Sequence, residues 1–114
     1  MSVKAKDHRA GNDPALEEVL RRLVEAYHPR RVYLFGSHAR EAATPDSDYD
    51  LLVVVPDDAP AKRRRSRLGY EALRGTGVAV DVLVWPWQDF EARLTLRASL
   101  PAMVVAEGKL LYAA

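Results

Sequence analysis

The chain has 114 residues, 48% apolar and 29% charged, with a formal net charge of +1: the balance of an ordinary soluble globular protein built on one core. That charge excludes any global attraction to nucleic acid or to an anionic membrane, and the lack of cysteine excludes disulfides, thiolate metal sites and cysteine nucleophiles. No apolar run reaches membrane-spanning length and the N-terminus carries no apolar signal block, so a cytoplasmic protein is expected.

Met1 to Asn12 are polar and without period, the pattern of a flexible tail, which leaves 13–114 as a single domain. Asp13-Pro14 reads as an N-cap followed by proline in the first helical turn, with Glu17 and Glu18 near the positive end of the helix. Leu16, Val19, Leu20, Leu23, Val24 and Tyr27 recur at three-and-four spacing as one buried stripe. His28-Pro29 ends this helix, and His28 is read as a helix-end residue rather than a ligand.

Val32 to Val55 (VYLFGSHAREAATPDSDYDLLVVV) is the stretch around which the chain is organised. It predicts a strand, a Gly36-Ser37 turn, a short helix from Ser37 to about Ala43, a turn at Thr44-Pro45-Asp46-Ser47, and a second strand opening with Asp48 and Asp50. Aspartates separated by one strand residue share a face, with Cα atoms roughly 6–7 Å apart. Two such carboxylates resist joint ionisation unless a cation neutralises them, and a hard divalent ion such as Mg²⁺ suits their oxygens while leaving positions for water and substrate phosphate. Gly36-Ser37 offers an anion site: bare backbone at a helix start, with a hydroxyl donor beside it. Arg40, one turn along, brings a delocalised positive charge to the same place. His38 adjoins the turn and is read as solvated. The Asp46, Asp48, Asp50 spacing superficially fits a calcium loop, but Leu51 stands where that loop needs glycine and Asp57 where it needs glutamate.

Leu51 to Val55 is apolar on both faces, as a central strand would be. A helix is expected from Ala61 to about Arg74, with Leu68, Ala72 and Leu73 toward the core. It opens on Lys62-Arg63-Arg64-Arg65 and Arg67, read as a solvated face, with contact to an acidic partner surface or RNA as the alternatives. Gly75-Thr76-Gly77 is a turn, and Val78 to Val84 a third strand whose only charge is Asp81. A carboxylate among valines is costly to bury, so Asp81 is either a salt-bridged edge residue or part of a site. Trp85 and Trp87 leave that strand close to the site and are read as core cover rather than nucleobase stackers. A helix from Gln88 to about Leu94, a last helix capped by Ser99 with Pro101 in its first turn, and a short strand or extended tail at Lys109 to Tyr112 complete an α/β layer with a mixed central sheet.

Gly36-Ser37, ten intervening residues and then Asp48-Tyr49-Asp50, with Asp81 on a later strand, resembles the signature of the DNA polymerase beta-like nucleotidyltransferases. In length the chain resembles the stand-alone minimal nucleotidyltransferase (MNT) proteins. The resemblance implies the polymerase beta-like α/β fold, Asp48, Asp50 and Asp81 as a catalytic triad holding two Mg²⁺ ions, with Mn²⁺ as the alternative, and Asp81 as the ligand nearest the nucleophile. Gly36, Ser37 and Arg40 would grip the phosphates of ATP. Many MNT proteins are antitoxins that adenylylate a tyrosine of a HEPN-type toxin, so the resemblance implies such a partner and a hetero-oligomer, a homodimer being the other assembly. Rival readings are a small-molecule nucleotidyltransferase working with a separate helical subunit, and an antitoxin that acts by binding alone.

Overall fold

The computed structural model describes residues 13–44 and 46–114, so the expected flexible tail at Met1 to Asn12 lies outside the described residues. Helix α1 (Pro14–Tyr27) begins at its sequence signals: Asp13 Oδ1 accepts from Leu16 N at 3.1 Å, and Pro14 sits in the first turn, where its missing N–H has no intrahelical partner to lose. Leu16, Val19, Leu20, Leu23 and Tyr27 are the buried stripe. His28 closes the helix in the left-handed conformation (φ 47°), its N–H donating to Val24 O.

Strands β1 (Arg31–Phe35), β2 (Tyr49–Val55), β3 (Val80–Pro86) and β4 (Lys109–Ala113) form one sheet in the order β3-β2-β1-β4. β1 runs antiparallel to β2 and β4, whereas β2 and β3 are parallel, so the sheet is mixed. A parallel pair needs a crossover, supplied here by a 3-10 turn (Ala61–Arg64) and helix α2 (Ser66–Ala72). Helices α3 (Trp87–Ala92) and α4 (Leu100–Glu107) follow β3, and Ser99 caps α4 by accepting from Ala102 N.

The sheet is covered on both faces. Leu51, Val53 and Val55 pack with the α1 stripe, Val32 and Val82, while Leu52 and Val54 turn the other way onto Tyr33, Phe90 and Val104. That two-sided burial is why β2 is apolar throughout.

The helix expected from Ala61 to Arg74 is broken at Arg65, whose backbone is extended (φ −117°, ψ 141°). Two causes act together: like charges at Arg63 and Arg67 oppose a continuous helix, and Arg65 O is turned toward the core to accept from Tyr27 OH at 2.5 Å. The same phenol accepts from Gly69 N at 2.7 Å, and burial pushes its pKa up to about 12. Gly69 permits the close packing, since a Cβ there would stand 3.0 Å from both Tyr27 OH and Val82 Cγ1.

Candidate active site at the acidic rim of the sheet

One rim of the sheet is formed by the C-terminal end of β1 and the N-terminal ends of β2 and β3, and the register there joins residues distant in sequence. Asp50 lies opposite Phe35 on β1 and opposite Asp81 on β3. Alternation places Asp50 on the face of Leu52 and Val54 and Asp81 on the face of Leu83 and Trp85, which is the same face. Asp48 is exposed and lies one residue before β2, so the strand opens at Tyr49 and not at Asp48 as the sequence suggested. The Asp50 carboxyl is held above its ordinary value, first by burial and then by the charges of Asp81 and Asp48, with His38 and Arg40 pulling the other way.

Gly36 is required at this rim for two reasons. Its φ is +75°, and a Cβ would land on Asp50 Oδ2, inside any allowed contact. Beyond it the expected helix from Ser37 to Ala43 is only one turn: Ala39 N and Arg40 N both donate to Gly36 O at 3.1 Å. Glu41, left-handed at φ 57°, ends the turn as Ala42 N donates to Ser37 O at 2.9 Å. A single turn aligns few peptide dipoles, so local N–H groups and side chains, not a macrodipole, are what Gly36-Ser37 can offer an anion. Ser37 is partly buried at the start of the turn and Arg40 is exposed.

His38 is partly buried rather than fully solvated. Its ring stacks on Tyr49 at 3.9 Å between centroids, and Nε2 lies 3.1 Å from Ser47 O. Tyr49 OH in turn donates to Asp13 Oδ2 at 2.6 Å, and burial, then this bond, raise the phenol to about 12. The stack ties the Gly36 turn to the loop carrying Asp48. That loop is itself closed by Ser47 N donating to Thr44 O at 3.0 Å and Thr44 N to Ser47 Oγ at 2.9 Å; Pro45 lies outside the described residues.

The tryptophans are elsewhere. Trp85 pairs with Val54 and Trp87 follows β3, both at the strand end away from Asp81. They pack on the second core layer, Trp87 under Arg30 at 3.9 Å and Trp85 under Arg93 at 5.4 Å. Asp81 also departs from its alternative reading: among the described residues it enters no ion pair, and its partner is Tyr70 OH at 3.1 Å. No sequence signal marked Tyr70, which belongs to a different element.

The oxygen donors suit a hard divalent cation. Among the described residues, however, no three His, Asp or Glu groups stand close enough to hold an ion as placed. Asp50 and Asp81 are set side by side by the sheet, and Asp48 is exposed just before β2. The donor set therefore fits such an ion in the chemistry of its oxygens, with two of its three carboxylates paired by the sheet.

A family model described as the nucleotidyltransferase domain matches residues 16–109, which include Gly36, Ser37 and all three aspartates. The chain belongs to the nucleotidyltransferase domain family. Its members transfer nucleotidyl groups from nucleoside triphosphates with the help of divalent metals, and the chain is a nucleotidyltransferase. The fold recurs in a solved structure described as a nucleotidyltransferase from Sulfolobus solfataricus, 20% identical with a TM-score of 0.58, covering 99% of this chain and 88% of that one. It recurs in a toxin-antitoxin structure with AMP-PNP, 23% identical with a TM-score of 0.55, covering 84% and 72%. It recurs again in an MntA-HpeT toxin-antitoxin with a tyrosine replaced by alanine, 24% identical with a TM-score of 0.53, covering 86% and 72%. Likeness at these identities establishes the shared fold. No curated protein matches the sequence. Among the described residues, no helix is long and apolar enough to cross a membrane.

Proposed function

We propose that this nucleotidyltransferase moves AMP from ATP to a tyrosine hydroxyl of a HEPN-type toxin, and so acts as an antitoxin by modifying its partner within a hetero-oligomer. The observation that carries the reading is the register pairing of Asp50 with Asp81, directly beside a glycine pressed against Asp50. Two structures of the same fold are of toxin-antitoxin systems, one of them with AMP-PNP.

Asp48, Asp50 and Asp81 are the residues that would hold Mg²⁺, or Mn²⁺ in its place. When bound, such ions neutralise the triphosphate and lower the pKa of the attacking hydroxyl. The bare backbone of Gly36 and the Ser37 hydroxyl take the β- and γ-phosphates, and Arg40 adds a delocalised cation at the outer side. These contacts aim the α-phosphorus for in-line attack. The tyrosine oxygen forms the new bond to phosphorus, the bond to pyrophosphate breaks, and Asp81 accepts the phenolic proton. The preference for adenine and for a toxin tyrosine rests on resemblance to MNT proteins.

The test is to purify the chain with the partner that accompanies it and incubate with ATP and Mg²⁺. A nucleotide-sized mass gain on a partner tyrosine is expected, and an unmodified partner in the presence of folded protein defeats the reading. Asp48→Asn serves as the control: it should abolish both the mass gain and the protection from toxin, whereas an antitoxin acting by contact alone would keep protecting.

A further inference from the structure

Tyr70 lies in α2, is 46% exposed, and has no share in the core. Its hydroxyl nevertheless makes two bonds of opposite sense, accepting from Val82 N and donating to Asp81 Oδ1, each at 3.1 Å. β3 is an edge strand, so its outward N–H groups have no strand partner. By taking the Val82 proton the phenol is anchored to backbone, and its own O–H is thereby aimed at the neighbouring carboxylate. An exposed aspartate on an edge strand otherwise samples several rotamers. Donation to Oδ1 occupies one lone pair and leaves the remaining carboxylate oxygen electrons for a cation.

We propose that Tyr70 is a positioning residue: anchored on Val82 N, it fixes the Asp81 carboxylate at the rim beside Asp50, where a divalent cation would be held. The inference rests on the metal-site reading given under the proposed function. It explains why a half-exposed tyrosine spends its hydroxyl on the sheet edge instead of on water. Outer partners that orient ligating carboxylates ordinarily change metal affinity when removed.

The experiment measures Mn²⁺ binding by electron paramagnetic resonance, with the folded chain and a non-hydrolysable ATP analogue present, for wild type, Tyr70→Phe, Asp81→Asn and the double variant. Tyr70→Phe should weaken Mn²⁺ about tenfold while leaving affinity for the metal-free analogue unchanged. In the Asp81→Asn background the same change should have no further effect. Asp81→Asn keeps the Val82 bond available, so this cycle separates the carboxylate contact from the backbone contact. Wild-type Mn²⁺ affinity in Tyr70→Phe, or equal losses from it in both backgrounds, overturns the positioning role even where Asp81→Asn weakens the ion. Unchanged binding in Asp48→Asn, Asp50→Asn and Asp81→Asn would instead overturn the metal site itself. Thermal melts of each variant identify any that fail to fold, and Tyr70→Leu, which has neither donor nor acceptor, supplies a second substitution with the same expected loss.

Discussion

At Asp50 the needs of folding and of chemistry oppose each other. Burial and the neighbouring Asp81 and Asp48 raise its pKa in the folded chain, so ionising it costs folding free energy. The sign follows from linkage. The penalty is absent while the carboxyl is protonated in both states, sets in as pH rises past the ordinary value of 3.8, and is complete above the raised folded value. Asp50→Asn should therefore be more stable than wild type at neutral pH, lose that advantage in acid below the carboxyl range, and transfer no nucleotide. Urea denaturation at the two pH values, beside an activity assay, measures the trade, and a variant less stable than wild type at neutral pH would contradict it. Gly36→Ala tests the contact from the other side. Its Cβ would collide with the Asp50 carboxylate at a positive φ, and should cost about 1–3 kcal/mol with loss of activity. Gly75 and Gly77 also have positive φ but nothing within 4 Å of an added Cβ, so alanine there should cost only about 1 kcal/mol and leave activity intact.

Elements that bury a single stripe or two full faces announce themselves in composition, and that is why α1, β2 and α4 were legible: the stripe from Leu16 to Tyr27, the apolar run from Leu51 to Val55, and the Ser99 cap each follow from local rules. Long-range contacts were not. The break at Arg65 depends on Tyr27, 38 residues away, and Tyr70 reaches Asp81 across the sheet edge. No periodicity encodes either contact. The candidate residues Asp48, Asp50 and Gly36 stand out as a local pattern, whereas the pairing of Asp50 with Asp81 exists only through strand register. Tyr27→Phe isolates the element-level term. It removes the acceptor for Gly69 N, a buried donor, and the bond to Arg65 O, and should destabilise the chain by about 1–3 kcal/mol by denaturant titration. The rim is expected to keep its geometry, with metal and nucleotide binding in the folded variant unchanged.

At the scale of the whole molecule, one acidic and one basic cluster stand apart. The three aspartates occupy one rim, whereas Lys62, Arg63, Arg64 and Arg65 form no ion pair among the described residues. Concavities of about 350, 420 and 450 Å³ run along α1, the 3-10 turn and α2, lined in part by Arg21, Lys62, Arg63, Arg65 and Leu68. Asp48, Asp50 and Asp81 line none of these three. Under the proposed function the rim grips a nucleotide by its phosphates, and enclosure of the base is what ordinarily adds affinity to small-molecule sites. The chain alone should bind ATP with Mg²⁺ more weakly than the complex does, since under the proposed function the partner that presents the acceptor tyrosine also completes the pocket. Calorimetry of ATP binding to the chain alone and to the co-purified complex, with a non-hydrolysable analogue to prevent turnover, compares the two. Equal affinities would mean that the chain closes its own nucleotide site, and that the partner contributes an acceptor and nothing else.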